Sequence, residues 1–167
     1  MAGYIDADGN VLEMDAGAAW FPTGDVGHLD DQGSLFITGR KKDLIIRGGV
    51  NISPAAIEEA LMHLDGILDV AVVSIPHELY GEDIVAVLKL EAGVQLEGML
   101  DSVMAHAKRN LAQHQQPARY ITMDEFPRTA SGKVQKSRIR ELVAEKLQVG
   151  SASTALMQPE ESAGVSR

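Results

Sequence analysis

The chain has 167 residues, 45% hydrophobic and 23% charged, which is enough for one modest domain with its own core and ordinary for a globular protein. It has no cysteine, which excludes a disulfide framework, a zinc–thiolate site and a cysteine nucleophile, and its net charge of −9 argues against a nucleic-acid partner, which needs a basic face. No apolar run approaches the length of a membrane span, and the opening MAGYIDADGN lacks the basic and apolar regions of a signal peptide, so a cytoplasmic protein is the expectation.

In chain order, Tyr4 to Leu12 carries Asp-Ala-Asp-Gly-Asn, a turn between short extended pieces. Trp20-Phe21 and Val26 to Leu29 read as strand, Asp30-Asp31-Gln32-Gly33 as a hairpin turn, and Leu35-Phe36-Ile37 as the returning strand. So few short strands cannot bury a face by themselves, so residues 1–38 are expected to need a partner. Gly39 to Glu58, GRKKDLIIRGGVNISPAAIE, follows. It holds a basic run, a short apolar strand at Leu44-Ile45-Ile46 and a glycine pair, Gly48-Gly49. Ser53 as N-cap and Pro54 as first residue then open a helix. Glycines beside cations and a helix start suit either a loop that bends near an anionic ligand or an ordinary basic turn.

Residues 44–147 read as an α+β unit with a small three-stranded sheet and three helices. Ile57, Leu61 and Leu64 fall at helical spacing, and Asp65-Gly66 ends that helix. Val70 to Ile75, stopped by Pro76, and Ile84 to Leu88 are near-continuously apolar, as strands covered on both faces are. Leu96, Met99, Leu100, Val103, Met104, Ala107 and Leu111 form the stripe of a long helix. Arg119 to Met123 is the third strand. Ser137 caps a last helix with Ile139, Leu142, Val143 and Leu147 on its apolar face, and 148–167 reads as a disordered tail.

Several chemistries find no support. The five histidines show no metal-ligand spacing, there is no G-x-S-x-G elbow, and Gly132-Lys133 is not a Walker phosphate loop because Val134 stands where Ser or Thr is required. Glu58 and Glu59 read as solvated helix residues. So do the cations Lys136, Arg138 and Arg140, although they add positive field near Lys133.

Three segments change this reading: Trp20-Phe21-Pro22-Thr23-Gly24-Asp25, the Gly39–Glu58 run, and Pro127-Arg128-Thr129-Ala130-Ser131-Gly132-Lys133. In that order they resemble motifs of the AMP-forming adenylating enzymes, which include acyl-CoA synthetases, luciferases and the adenylation domains of peptide synthetases. The resemblance spans residues 1 to 147 and corresponds to the end of a family member. It implies that 1–38 closes the large nucleotide-binding domain, that 39–43 is a hinge, and that 44–147 is the mobile C-terminal domain. By the same resemblance Asp25 accepts the ribose hydroxyls, with two acceptor oxygens and no donor. Arg40 reaches toward the nucleotide, Lys42 stands at the hinge, Gly49 borders the pantetheine tunnel, and Asn51 lies near the phosphates. Lys133 becomes the catalytic lysine, an ammonium that stabilises charge as a carboxylate attacks the α-phosphate of ATP. Without the resemblance, Asp25 is a turn residue, Gly49 a turn glycine and Lys133 a solvated lysine.

Pro22 stands where many members have Arg, and Gln115-Gln116 replace the usual Lys and apolar residue before Pro117. The resemblance implies that the phosphate loop, the acyl pocket and the ligands for Mg²⁺ belong to a large N-terminal domain that is not in these residues. The expected function is therefore that of the C-terminal part of an acid–CoA ligase, with ATP/AMP and CoA as substrates. It would activate a carboxylic acid, with a fatty acid the leading candidate, and would be inactive alone. Two alternatives stand beside it: an adenylation domain loading a carrier protein, and a non-catalytic interaction module working with a separate large domain.

Overall fold

The computed structural model describes residues 4–5, 11–12 and 22–149. Two short strands, β1 (Tyr4–Ile5) and β2 (Val11–Leu12), pair antiparallel, as the turn sequence between them predicts. Trp20-Phe21 lies outside the described residues. Strands β3 (Asp25–Leu29) and β4 (Leu35–Arg40) form the expected hairpin. Its turn is fixed by Asp30, whose Oδ1 accepts from the amides of Gln32 at 2.9 Å and Ser34 at 2.8 Å. Leu29, Leu35, Phe36 and Ile37 are all exposed, so the hairpin buries little of its own apolar surface.

A 3-10 turn (Lys41–Asp43) leads into the main sheet, which has five strands rather than three. The three expected strands are β7 (Ile67–His77), β8 (Gly81–Leu90) and β9 (Arg119–Thr122). To these the chain adds a hairpin of β5 (Ile45–Arg47), the short apolar strand expected at Leu44-Ile45-Ile46, and β6 (Val50–Ile52), which is not among the expected strands. The order is β6-β5-β8-β7, with β9 parallel to β8. Pro76 does not stop β7: the strand runs through it, with Pro76 opposite Glu82. Strand β7 is an edge, where the missing N–H of proline leaves no ladder bond unmade.

Side-chain alternation divides the core. Val70, Val72, Ile84, Ala86, Leu88 and Tyr120 face α1 (Pro54–Met62) and α2 (Leu96–Asn110). Ala71, Val73, Val85, Val87 and Ile121 face Phe126 and the buried Ile139 and Val143 of α3 (Lys136–Val149). Three layers result, which is why β7 and β8 are apolar on consecutive residues. Each fully buried Val, Leu or Ile here contributes roughly 1.5–3 kcal/mol of transfer free energy.

The helix ends depart from expectation. Pro54 opens α1, but Ser53 makes no side-chain cap. Its hydroxyl donates to the Thr38 carbonyl at 2.6 Å instead, tying α1 to β4. Helix α1 ends at Met62, before Leu64, and Gly66 then turns into β7 at φ 88°. The stripe of α2 is as expected, with Leu111 packed just past its end. Ser137 lies inside α3 rather than capping it. Gln135 precedes the helix, and its carbonyl accepts from the Ile139 amide at 3.1 Å. Helix α3 continues to Val149, through the first two residues of the expected tail, and 150–167 lie outside the described residues. Among the described residues no helix is long and apolar enough to cross a membrane.

Burial pushes the Tyr120 phenol up to about 12. In the unfolded chain it ionises near 10, so this contribution to stability is complete below about pH 10 and is lost as pH rises toward about 12. Urea unfolding at a series of alkaline pH values should show a loss of up to about 3 kcal/mol over that window which Tyr120→Phe removes. Parallel pH profiles for the two proteins would refute it.

Candidate functional site

Asp25 and Arg40 face each other across the β3–β4 hairpin, with Arg40 Nε 3.2 Å from Asp25 Oδ1. Gly24 at φ 77° makes the turn before Asp25, and its carbonyl accepts from the Lys41 amide at 2.7 Å. The Thr23 hydroxyl accepts from the Asp25 amide at 3.1 Å. Threonine and glycine thus shape the backbone, and the carboxylate stands beside a cation at the solvent-facing end of the hairpin. The two residues nominated for the nucleotide are brought together. Gly39 and Arg40 end β4, and Lys42 lies exposed in the 3-10 turn that follows.

Gly48 and Gly49 join β5 to β6 as a two-residue turn with φ of 57° and 82°. Positive φ at both positions is what a type I′ hairpin turn demands. A Cβ on Gly49 would meet no atom within 4 Å, so backbone conformation, not crowding, calls for glycine there within this domain. Asn51 is exposed two residues on, in β6.

The hairpin is fastened by Arg47. Its Nε is 3.1 Å from Oδ1 of the buried Asp83, Nη1 donates to the carbonyls of His114 and Gln116, and the guanidinium lies 5.5 Å from the centre of the Tyr80 ring. Gly48 adds a backbone bond to the Tyr80 carbonyl at 2.9 Å. Sequence reasoning passed over this pair. The available signal was Asp83 at the head of an apolar strand, since a buried carboxylate requires a partner.

Lys133 is exposed in a closed loop, not in a slack one. Arg128 bridges to Val134, the Thr129 amide donates to the Lys133 carbonyl at 2.8 Å, and the Gly132 amide returns to the Thr129 carbonyl at 2.8 Å. The Thr129 hydroxyl accepts from the Lys133 amide at 3.1 Å, and Arg128 Nη1 donates to the Gly132 carbonyl at 2.9 Å. The small polar residues therefore order the turn. Glu58 is not a solvated helix residue and Lys136 is not a free cation: Lys136 Nζ lies 2.7 Å from Glu58 Oε1. No carboxylate forms an ion pair with Lys133 among the described residues.

The candidates fall at two ends of one ladder. Arg128, at the base of the Lys133 loop, pairs with Asp69 near the start of β7. The Gly48-Gly49 turn bonds to Tyr80, beside Gly81, which lies opposite His77 at the other end. From Asp69 to His77 is eight residues, or about 26 Å of strand. The anchors of the Lys133 loop and of the Gly48-Gly49 turn are therefore at opposite ends of the strand. Among the described residues no group of three or more His, Cys, Asp or Glu could hold a metal ion.

Residues 56–133 match the family model described as the AMP-binding enzyme C-terminal domain. The chain is similar to the indoleacetate–CoA ligase of Aromatoleum aromaticum, at 46% identity over 130 residues, which are 76% of this chain and 24% of that protein. It is also similar to the long-chain-fatty-acid–CoA ligase FadD13 of Mycobacterium tuberculosis, at 37% over 122 residues, which are 73% and 24%. Among solved structures it is similar to ATP-bound MatB from Rhodopseudomonas palustris, with a TM-score of 0.65 and 32% identity over 83% of this chain and 25% of that one. The chain spans about a quarter of the length of the curated relatives it matches.

The turn geometry makes Gly49→Ala costly whatever the loop binds. A left-handed alanine should destabilise the chain by about 1–2 kcal/mol in urea unfolding. An unchanged midpoint would mean that the turn is not type I′.

Proposed function

We propose that this chain, which carries the C-terminal domain of the AMP-forming adenylating enzymes, works as the mobile domain of an acid–CoA ligase. In the first half-reaction a substrate carboxylate attacks the α-phosphorus of ATP. A phosphorus–oxygen bond forms, the bond to pyrophosphate breaks, and an acyl-adenylate results. In the second, the CoA sulfur attacks the acyl carbon and AMP leaves.

The observation that carries this reading is the separation of Lys133 from Gly49 along β7. Their anchors stand about 26 Å apart along the strand, at Asp69 and opposite His77, and a rigid domain so built cannot readily offer both ends to one reaction centre at once. It can offer them in turn by rotating, and two half-reactions at one centre call for such an exchange. Lys42 in the 3-10 turn is the hinge position. Rotation there would break the Ser53–Thr38 bond and turn the sheet and its helices as a unit while β3 and β4 stay with the nucleotide.

Each side chain then has its task. Asp25 accepts the ribose hydroxyls, and Arg40 holds that carboxylate in place and adds positive potential near the phosphates. Lys133 stabilises the charge that builds on phosphate and carboxylate oxygens during adenylation. Its ordered loop reduces the cost of fixing the ammonium at that moment. Gly49 lines the passage for the pantetheine arm, and Asn51 meets phosphate. Mg²⁺, if used, has no ligand set among the described residues, and no step here passes through it.

The partner is a large N-terminal domain. The exposed apolar side of the β3–β4 hairpin supports this, as does the length of the relatives. The acid is a carboxylic acid. A fatty acid is the favoured class, since one relative is a long-chain-fatty-acid–CoA ligase. The cytoplasm is the proposed location. In a complete ligase carrying this chain, Lys133→Ala should slow adenylate formation by about 100-fold or more. Thioester formation from supplied acyl-adenylate should continue at its normal rate. Equal loss in both half-reactions would rule out the role given to Lys133.

A further inference from the structure

Strand β7 lies at the sheet edge, so the amides along its free side need partners. Two carboxylates supply partners for the amides of Val70 and Val72. Asp69 Oδ1 accepts from the Val70 amide at 2.9 Å, and Glu58 Oε1 accepts from the Val72 amide at 2.7 Å. Each of these carboxylates also binds a cation from the segment that carries Lys133. Asp69 Oδ2 takes Arg128, and Glu58 takes Lys136 through both oxygens, at 2.7 Å and 3.0 Å.

The cations stand five residues before Lys133 and three after it. The segment 128–136 is thus fastened to the β7 edge on both sides of the exposed lysine, and only the loop tip projects. Lys136 and Glu58 are themselves largely covered, with side chains 25% and 19% exposed, so solvent screens this pair less than an open surface pair.

We propose that Glu58 and Asp69 are positioning residues for Lys133, holding through Lys136 and Arg128 the frame on which the lysine is presented. This rests on the role given to Lys133 above. Neither carboxylate touches substrate. Their task is to keep the ammonium where charge develops, since a small displacement of a group that acts on a transition state costs rate rather than binding.

Amide hydrogen exchange in the 167-residue chain tests the frame without reference to catalysis. Glu58→Gln and Asp69→Asn keep an oxygen acceptor for the strand amide and remove only the charge. In each, exchange at Thr129, Gly132 and Lys133 should quicken by about tenfold, while Val85 and Val87 in β8 exchange as before. Lys136→Met should behave like Glu58→Gln, and Lys136→Arg like the unaltered chain. Unchanged exchange in the loop, or equal acceleration in β8, would overturn the proposal.

The second arm uses a complete ligase carrying the chain. Glu58→Gln should lower kcat for adenylation with the KM for ATP unchanged, and should leave thioester formation from supplied adenylate intact. A loosened loop with adenylation at full rate would overturn the positioning role. Full adenylation in Lys133→Ala would instead remove the catalytic role on which the proposal rests, and the exchange result would separate that failure from a failure of the clamp.

Discussion

The β7–β8 ladder is the constraint on which everything else depends. It runs without a break from Asp69↔Lys89 to His77↔Gly81, and its side chains alternate between two apolar layers. Helices α1 and α2 cover one face and α3 the other, and the removal of Val72, Val85, Val87 and their neighbours from water makes the ladder stiff. Its stiffness gives the two ends a fixed separation. One end receives the loop of Lys133 through Arg128, and the other receives the Gly48-Gly49 turn through Tyr80 and Arg47. A softer sheet would let the two ends drift relative to each other, and the proposed exchange of ends by rotation depends on their staying fixed.

Electrostatics completes what packing begins. Edge strands invite unwanted pairing, and the Val70–Val72 stretch of this edge is blocked by carboxylates rather than by another strand. Because Asp69 and Glu58 each accept an amide and also bind a cation, blocking this stretch of the edge and fixing the Lys133 segment are one act. The opposite end follows the same logic. Asp83 is buried, and Arg47 both neutralises it and gathers the carbonyls of His114 and Gln116. Neither arrangement adds much net energy as an ion pair alone. Each fixes which surfaces meet.

Much of this could be read in the chain. The apolar runs at Val70–Ile75 and Ile84–Leu88 announce strands covered on both sides, and the stripe from Leu96 to Leu111 announces its helix. The three ordered motifs point to the family. What could not be read depends on separation along the chain. Lys136 and Glu58 are 78 residues apart, and Arg128 and Asp69 are 59 apart, and no local pattern encodes such pairs. Ser53 looks like a cap because serine before Pro54 has the right chemistry, but the Thr38 carbonyl lies closer to hand. Pro76 looks like a stop because its position at the sheet edge appears only when the sheet is assembled. The strand at Leu44-Ile45-Ile46 reads as such and becomes β5, but the run Val50-Asn51-Ile52 is too brief to register as its partner.

The central claim is that one rigid unit offers its two ends in turn. Because these 167 residues hold no cysteine, an engineered cysteine is the single label site within them. In a complete ligase, a spin label at Ala130→Cys and another at Val50→Cys should each be measured in distance to one fixed label on the large domain. With ATP and a non-reactive acid analogue, the label at 130 should approach and the label at 50 recede. With the adenylate analogue and CoA the order should reverse. If both labels move together, or neither moves, the two ends are not alternately presented and the account fails.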